Sequence, residues 1–174
     1  MKILIVSYYF HPEITPRSFR TTELAKELSR KGNKVKVLTK KTVFKEQQKL
    51  ADDENLELAF FNRGPRDLRF KNTSGIYGKL AIVMNRFLVQ FLDHPNFGIK
   101  GIVASELKSE LFNNNYDLLI SIAHPHAVHW GVADVVRKKR NKSFTWIADC
   151  GDPYMKAQNL NYKRPFYFWF WEKV

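Results

Sequence analysis

The sequence predicts an α/β domain, a parallel sheet flanked by helices, and three observations carry that prediction. Residues 2–39 read as strand, polar loop, helix and second strand, a crossover unit that closes with right-handed connection. Two later apolar runs, at 116–121 and 144–148, each end in a polar exit, as buried parallel strands do. A chain of 174 residues with 44% hydrophobic content can bury one sizeable core, which sets the count at a single domain.

The first strand is Ile3-Leu4-Ile5-Val6, a continuous apolar run without alternation, which suits a strand covered on both faces. Ser7 to Ile14 forms a loop. Thr15 is placed to cap a helix with Pro16 at its first position, where a missing N–H costs nothing. The inward stripe of that helix is Thr21, Leu24, Ala25 and Leu28; Arg30 and Lys31 suit its negative end, and Gly32 closes it. The second strand, 35–39, follows at once.

Residues 40–55 are polar and charged with little periodicity, and read as an irregular excursion. The run 56–61 alternates well enough for a third strand near an edge. A basic loop follows, with Arg63, Arg66, Arg69 and Lys71 around the Gly64-Pro65 turn. Residues 76–92 form the most apolar segment. Leu80, Val83, Met84, Phe87 and Phe91 at helical spacing predict a stripe turned towards the core, with a membrane-surface helix as the alternative. After a break at 93–98, a helix over 99–112 faces Ile102, Val103, Leu107 and Leu111 inward. The run 116–121 is the fourth strand. Pro125 opens a helix carrying Val128, Val132, Val135 and Val136 on one face, which ends at Lys138, Lys139 and Arg140. The fifth strand, 144–148, exits through Asp149-Cys150-Gly151-Asp152-Pro153. An aromatic run at 164–171 closes the chain.

In a parallel sheet, ligands lie beyond the carboxyl ends of the strands, where helix N-termini present unpaired N–H groups. Exits after strands one, four and five therefore define the candidate rim. Arg17 and Arg20 begin the first helix, where they strengthen an anion site or form a solvated basic face. His124 and His126 suit hydrogen bonding or proton transfer. His126 and His129 stand one turn apart, yet no carboxylate or thiol supplies a third metal ligand, so no metal is expected. Asp149 and Asp152 serve equally as turn caps or as acceptors for sugar hydroxyls. Cys150 has no neighbour placed to activate it.

The net charge of +12, from 29 Lys and Arg against 17 Asp and Glu, implies an anionic partner. No zinc-finger spacing, helix-turn-helix or RNA-binding signature accompanies it, so nucleic acid is not expected. No G-x-G-x-x-G follows the first strand and no Walker loop occurs, which sets aside ordinary dehydrogenases and ATPases. The longest apolar segment is interrupted by Lys79, Asn85, Arg86 and Gln90, short of the roughly 20 residues of a spanning helix. A single cysteine fits a reducing compartment, the cytoplasm.

The opening Met1-Lys2-Ile3-Leu4-Ile5-Val6-Ser7-Tyr8-Tyr9-Phe10-His11-Pro12-Glu13, then Glu23-Leu24-Ala25-Lys26-Glu27-Leu28, Gly32 and residues 35–39, resemble the amino-terminal domain of GT-B glycosyltransferases of family 4. Tyr116-Asp117-Leu118-Leu119-Ile120-Ser121 with Pro125, His126 and His129, and Trp146-Ile147-Ala148-Asp149 with Asp152-Pro153, match in the same order, so the similarity spans nearly the whole chain. The resemblance implies a Rossmann-like domain, the acceptor-side half of a retaining transferase that moves a sugar from a nucleotide sugar to a saccharide or lipid-linked acceptor. It places acceptor contacts on His11, Glu13, Arg17, His124 and Asp152, with Asp149 and His126 nearest the chemistry. It implies no metal and no cofactor beyond the nucleotide-sugar donor, a C-terminal donor domain beyond Val174, and work in surface polysaccharide synthesis at the inner face of a membrane. The loop 14–17 departs from the family in carrying no glycine. A non-catalytic α/β module docking on an anionic surface, and a sugar-nucleotide epimerase, are the alternatives.

Overall fold

The computed structural model describes residues 1–62, 64, 75–92, 96–138 and 144–151. Among these residues five strands form one sheet: β1 (Lys2–Ser7), β2 (Lys34–Thr39), β3 (Leu56–Phe60), β4 (Leu118–Ile122) and β5 (Thr145–Asp149). Their spatial order is β3-β2-β1-β4-β5, and every pair is parallel. The fold is Rossmann-like. Among the described residues five helices flank it: α1 (Pro16–Arg30), α2 (Phe44–Asp53), α3 (Gly75–Leu92), α4 (Asn96–Asn113) and α5 (Ala127–Lys138).

Strand side chains alternate between faces, so each strand feeds two cores. Ile3, Ile5, Val35, Val37, Ile120 and Ile122 pack under α1 and α2, against Leu24, Ala25, Leu28, Leu50 and Ala51. Leu4, Val6, Leu38 and Leu119 pack under α4 and α5, against Val103, Leu107, Val128 and Val132. Burial on both faces is why β1 reads as a continuous apolar run over Ile3–Val6 and β4 as one interrupted by Ser121 alone. Helix α1 starts as its sequence dictates: the Thr15 side chain accepts from the Ser18 N–H at 3.1 Å, with Pro16 at the first position. It closes at Gly32, whose φ of +83° is open to glycine without strain.

Two expectations are corrected. Residues 44–53, expected to be irregular, form α2, because its inward stripe contains a glutamine that apolar periodicity overlooks. Gln47 is fully buried and satisfied, accepting from the Thr42 N–H at 3.1 Å and donating to the Lys40 carbonyl at 3.1 Å. The second concerns α3. Its stripe Leu80, Val83, Met84 and Phe87 is exposed, and Gly78, Ala81 and Leu88 are buried instead. The sheet face is already covered by α4 and α5, so the most apolar helix has no sheet to cover with that stripe. Smaller shifts occur elsewhere: α5 begins at Ala127, two residues after Pro125, and α4 begins at Asn96 inside the expected break. The side chain of Phe91, most of the basic loop including Arg63, Arg66, Arg69 and Lys71, the residues Lys139, Arg140 and Asp152, and the run 164–171 lie outside the described residues. Among the described residues no helix is long and apolar enough to cross a membrane.

Candidate functional site

The chain leaves β1 for β2 and β3 on one side, and later enters β4 and β5 on the other. That reversal makes the gap between the exits of β1 and β4 the topological switch point, the place where open parallel sheets bind their ligands. Register brings the exits level: Ser7 pairs with Ile122, and Ile122 with Asp149.

The β1 exit is held down by its own hydroxyls. Ser7 Oγ lies 2.8 Å from Thr21 Oγ1 and donates to or accepts from it, and the His11 N–H donates to Thr22 Oγ1 at 3.2 Å. The Glu13 N–H closes a turn on the Phe10 carbonyl at 3.2 Å, while Phe10 is buried as an anchor. Glu13 then meets Lys40, from the exit of β2, in an ion pair of 2.9 Å. The Lys40 ammonium also lies over the rings of Tyr8 and Tyr9, at 5.5 and 6.0 Å from their centroids. Burial opposes the Lys40 charge, but the Glu13 hydrogen bond and carboxylate outweigh it and the pKa rises. Burial chiefly raises that of Tyr8, a neutral hydrogen-bonding phenol.

The exits of β4 and β5 lie on the other side of the switch point. His124 is exposed, while His126 and His129 are buried; the rings stand edge to face, 5.7 Å between His124 and His126 and 6.3 Å between His126 and His129. Trp146 Nε1–H donates to Ser121 Oγ at 2.9 Å, and Ser121 Oγ lies 2.7 Å from His129 Nδ1. The hydroxyl accepts from the indole and still has a proton to give Nδ1 and a lone pair to receive one from it, so the pair forms with either imidazole tautomer. Nε2 has no hydrogen bond of ordinary geometry, although the Asp149 carbonyl is near enough to favour the charged ring.

Burial lowers the His129 pKa, against the opposing pull of the Asp149 carbonyl and carboxylate. The ring is therefore neutral when folded, whereas the unfolded chain binds a proton near its ordinary value of about 6.5. Stability is complete above that value and is lost as pH falls from it towards the lower folded value. Urea midpoints measured from about pH 7 to about pH 5 are expected to fall, and the His129→Asn variant, which retains an acceptor for Ser121, to flatten that fall. An equal slope in the variant would assign the acid sensitivity elsewhere.

Asp149 ends β5 with its carboxylate gripped twice by Arg20 of α1: Nε to Oδ2 at 2.6 Å and Nη2 to Oδ1 at 2.6 Å. Arg17 crowds Gly151 so closely that a Cβ there would collide with the guanidinium. The start of α1 thus packs against the β5 exit and brings Arg17 and Arg20 to Gly151 and Asp149, while His124 and His126 follow β4 and His11 and Glu13 follow β1 on the same sheet edge. Cys150 is exposed, and its thiol is pushed above the ordinary range by burial and the Asp149 charge, against Arg17, so it is not activated. Lys40 and the Arg20 grip on Asp149 were not identified as site features from sequence. Lys40 directly follows β2, and that position alone marks it as a rim residue. Among the described residues no three His, Cys, Asp or Glu side chains converge as a metal centre requires. Along one sheet edge the rim offers ion-paired carboxylates, guanidinium donors and imidazoles, a set suited to polyhydroxy or anionic ligands.

No family model and no curated protein matches the chain. Among solved structures, the C-terminal domain of a hydrogenase from Pyrococcus furiosus is similar, with 17% identity, a TM-score of 0.50, and coverage of 86% of this chain and 90% of that one. Two structures of O-ureido-L-serine synthase, one bound to O-ureido-L-serine, share 14% and 16% identity. They cover 84% of this chain and 43% and 44% of their own, with TM-scores of 0.27. The likeness to the hydrogenase domain is one of fold.

Proposed function

We propose that this chain is the acceptor-side domain of a retaining GT-B glycosyltransferase, transferring a sugar from a nucleotide sugar to a saccharide or lipid-linked acceptor in the cytoplasm. What supports the reading is the switch point, with Asp149 at the β5 exit, His124 and His126 at the β4 exit and the loop 11–17 at the β1 exit, all on one sheet edge. The motif resemblance falls on these same exits.

In this reading the acceptor hydroxyl is oriented by Asp149, whose carboxylate Arg20 holds at a fixed angle, and by His126. An acceptor at the switch point exchanges water for these groups, and the cations of Arg17 and Lys40 suit an acceptor that carries phosphate. The donor and its leaving phosphate belong to the donor domain that the resemblance implies. Incubating the natural full-length protein with nucleotide sugars and lipid-linked acceptors, with products read by mass spectrometry, is the test. A glycosylated acceptor is expected. A nucleotide sugar converted to its epimer without acceptor, or no product from any pair, would overturn the reading.

A further inference from the structure

We propose that the exposed face of α3 docks the protein on an anionic phospholipid bilayer, lying in the interface without crossing it. At 100° per residue, Ile76, Tyr77, Leu80, Val83, Met84 and Phe87 fall within one arc of about 120°. All six are exposed, Ile76 at 83%, Tyr77 at 79%, Leu80 at 57% and Val83 at 59%. Gly78, Ala81 and Leu88 are buried along the flank away from Lys79 and Arg86, and Ile82, across the helix from the arc, is exposed at 43%, so most of the large apolar residues described on α3 face outwards. A continuous apolar surface of this kind marks an interaction site.

The charges on the same helix select the occupant. Lys79 and Arg86 lie one above the other, two turns apart, on the flank beside the apolar arc, and both are exposed. No residue of 75–92 is acidic. A second copy of the chain laid against this face brings the same cations and no carboxylate from α3 to meet them. A layer of lipid phosphates supplies negative charge at the depth where long basic side chains emerge while the apolar arc enters the acyl boundary. The net charge of +12 favours the same surface. The proposal uses no rim residue and stands apart from the function proposed above.

Co-sedimentation of the full chain with vesicles of phosphatidylcholine alone, and of phosphatidylcholine with an equal part of phosphatidylglycerol, tests it. Binding is expected only to the anionic vesicles, and to weaken with salt. Removing both cations, Lys79→Gln with Arg86→Gln, is expected to weaken binding by about fivefold for each charge. The pair Leu80→Ser and Val83→Ser is expected to weaken it by about a hundredfold or more, the loss of two buried side chains. These positions are exposed, so thermal melts of the variants should match the parent, and Asp149→Asn should bind vesicles like the parent. Equal binding to both vesicle types, binding unchanged by either pair, or a dimer abolished by the apolar pair in a chain that binds no vesicle would overturn the proposal.

Discussion

Replacing Asp149 with asparagine in the full-length protein is expected to slow sugar transfer by about a hundredfold, at nearly unchanged KM for the donor. Asparagine keeps the shape and one acceptor oxygen but removes the charge. Arg20, which grips both carboxylate oxygens at 2.6 Å, is then left facing a neutral amide. The acceptor loses both a charged hydrogen-bond partner and the fixed angle at which it is presented. Arg20→Lys should produce a smaller loss, since an ammonium restores charge but not the planar fork. Initial rates at saturating donor distinguish the cases. A rate within about twofold of the parent would remove Asp149 from the chemistry, because a positioned acid–base or charged group contributes far more.

Substituting Gly131 is expected to destabilise the fold by more than any exposed change. A Cβ at this position would lie 2.7 Å from the Lys100 carbonyl oxygen and 2.8 Å from Val103 Cβ and Cγ1, across the α4–α5 crossing. Two of these are parts of a neighbouring side chain that is itself fully buried, and the third is backbone, so nothing nearby can yield cheaply. Alanine gains about 1 kcal/mol in helix propensity over glycine, yet overpacking by about 1–3 kcal/mol outweighs it. Valine adds two methyls and exceeds that. A fall in Tm of about 5–10 °C for Gly131→Val, followed by circular dichroism, is expected for a domain of this size. An alanine variant melting above the parent would show that the helices separate at little cost. The same crossing sets the height of α5, which carries His129 and follows directly on His126, so it supports the rim as well as the core.

The first βαβ unit was legible because its signals are local: an apolar run, a threonine cap before proline, a glycine at positive φ. The sheet edge that carries the candidate site was legible for the same reason, since parallel strands put all their exits on one side. Helix α2 was hidden because a fully buried glutamine occupies a core position, and its partners are backbone groups that sequence does not display. The apolar periodicity of α3 identified a helix, but periodicity names a stripe and not what covers it. That choice was made by α4 and α5, which fill the sheet face. Partner selection at the rim was equally remote. Arg20 and Asp149 are 129 residues apart, and Glu13 and Lys40 are 27 apart, so their pairing exists only once the strands are in order.

The central claim, that the switch point between the β1 and β4 exits receives a sugar acceptor, is tested most directly by backbone amide shifts as a saccharide acceptor is titrated into the chain. The expected changes cluster at 8–17, 123–129 and 149–151, and disappear in the Asp149→Asn variant. Changes confined to the groove between α4 and α5 around Ser105, Lys108 and Asp134, or spread without a cluster, would contradict it.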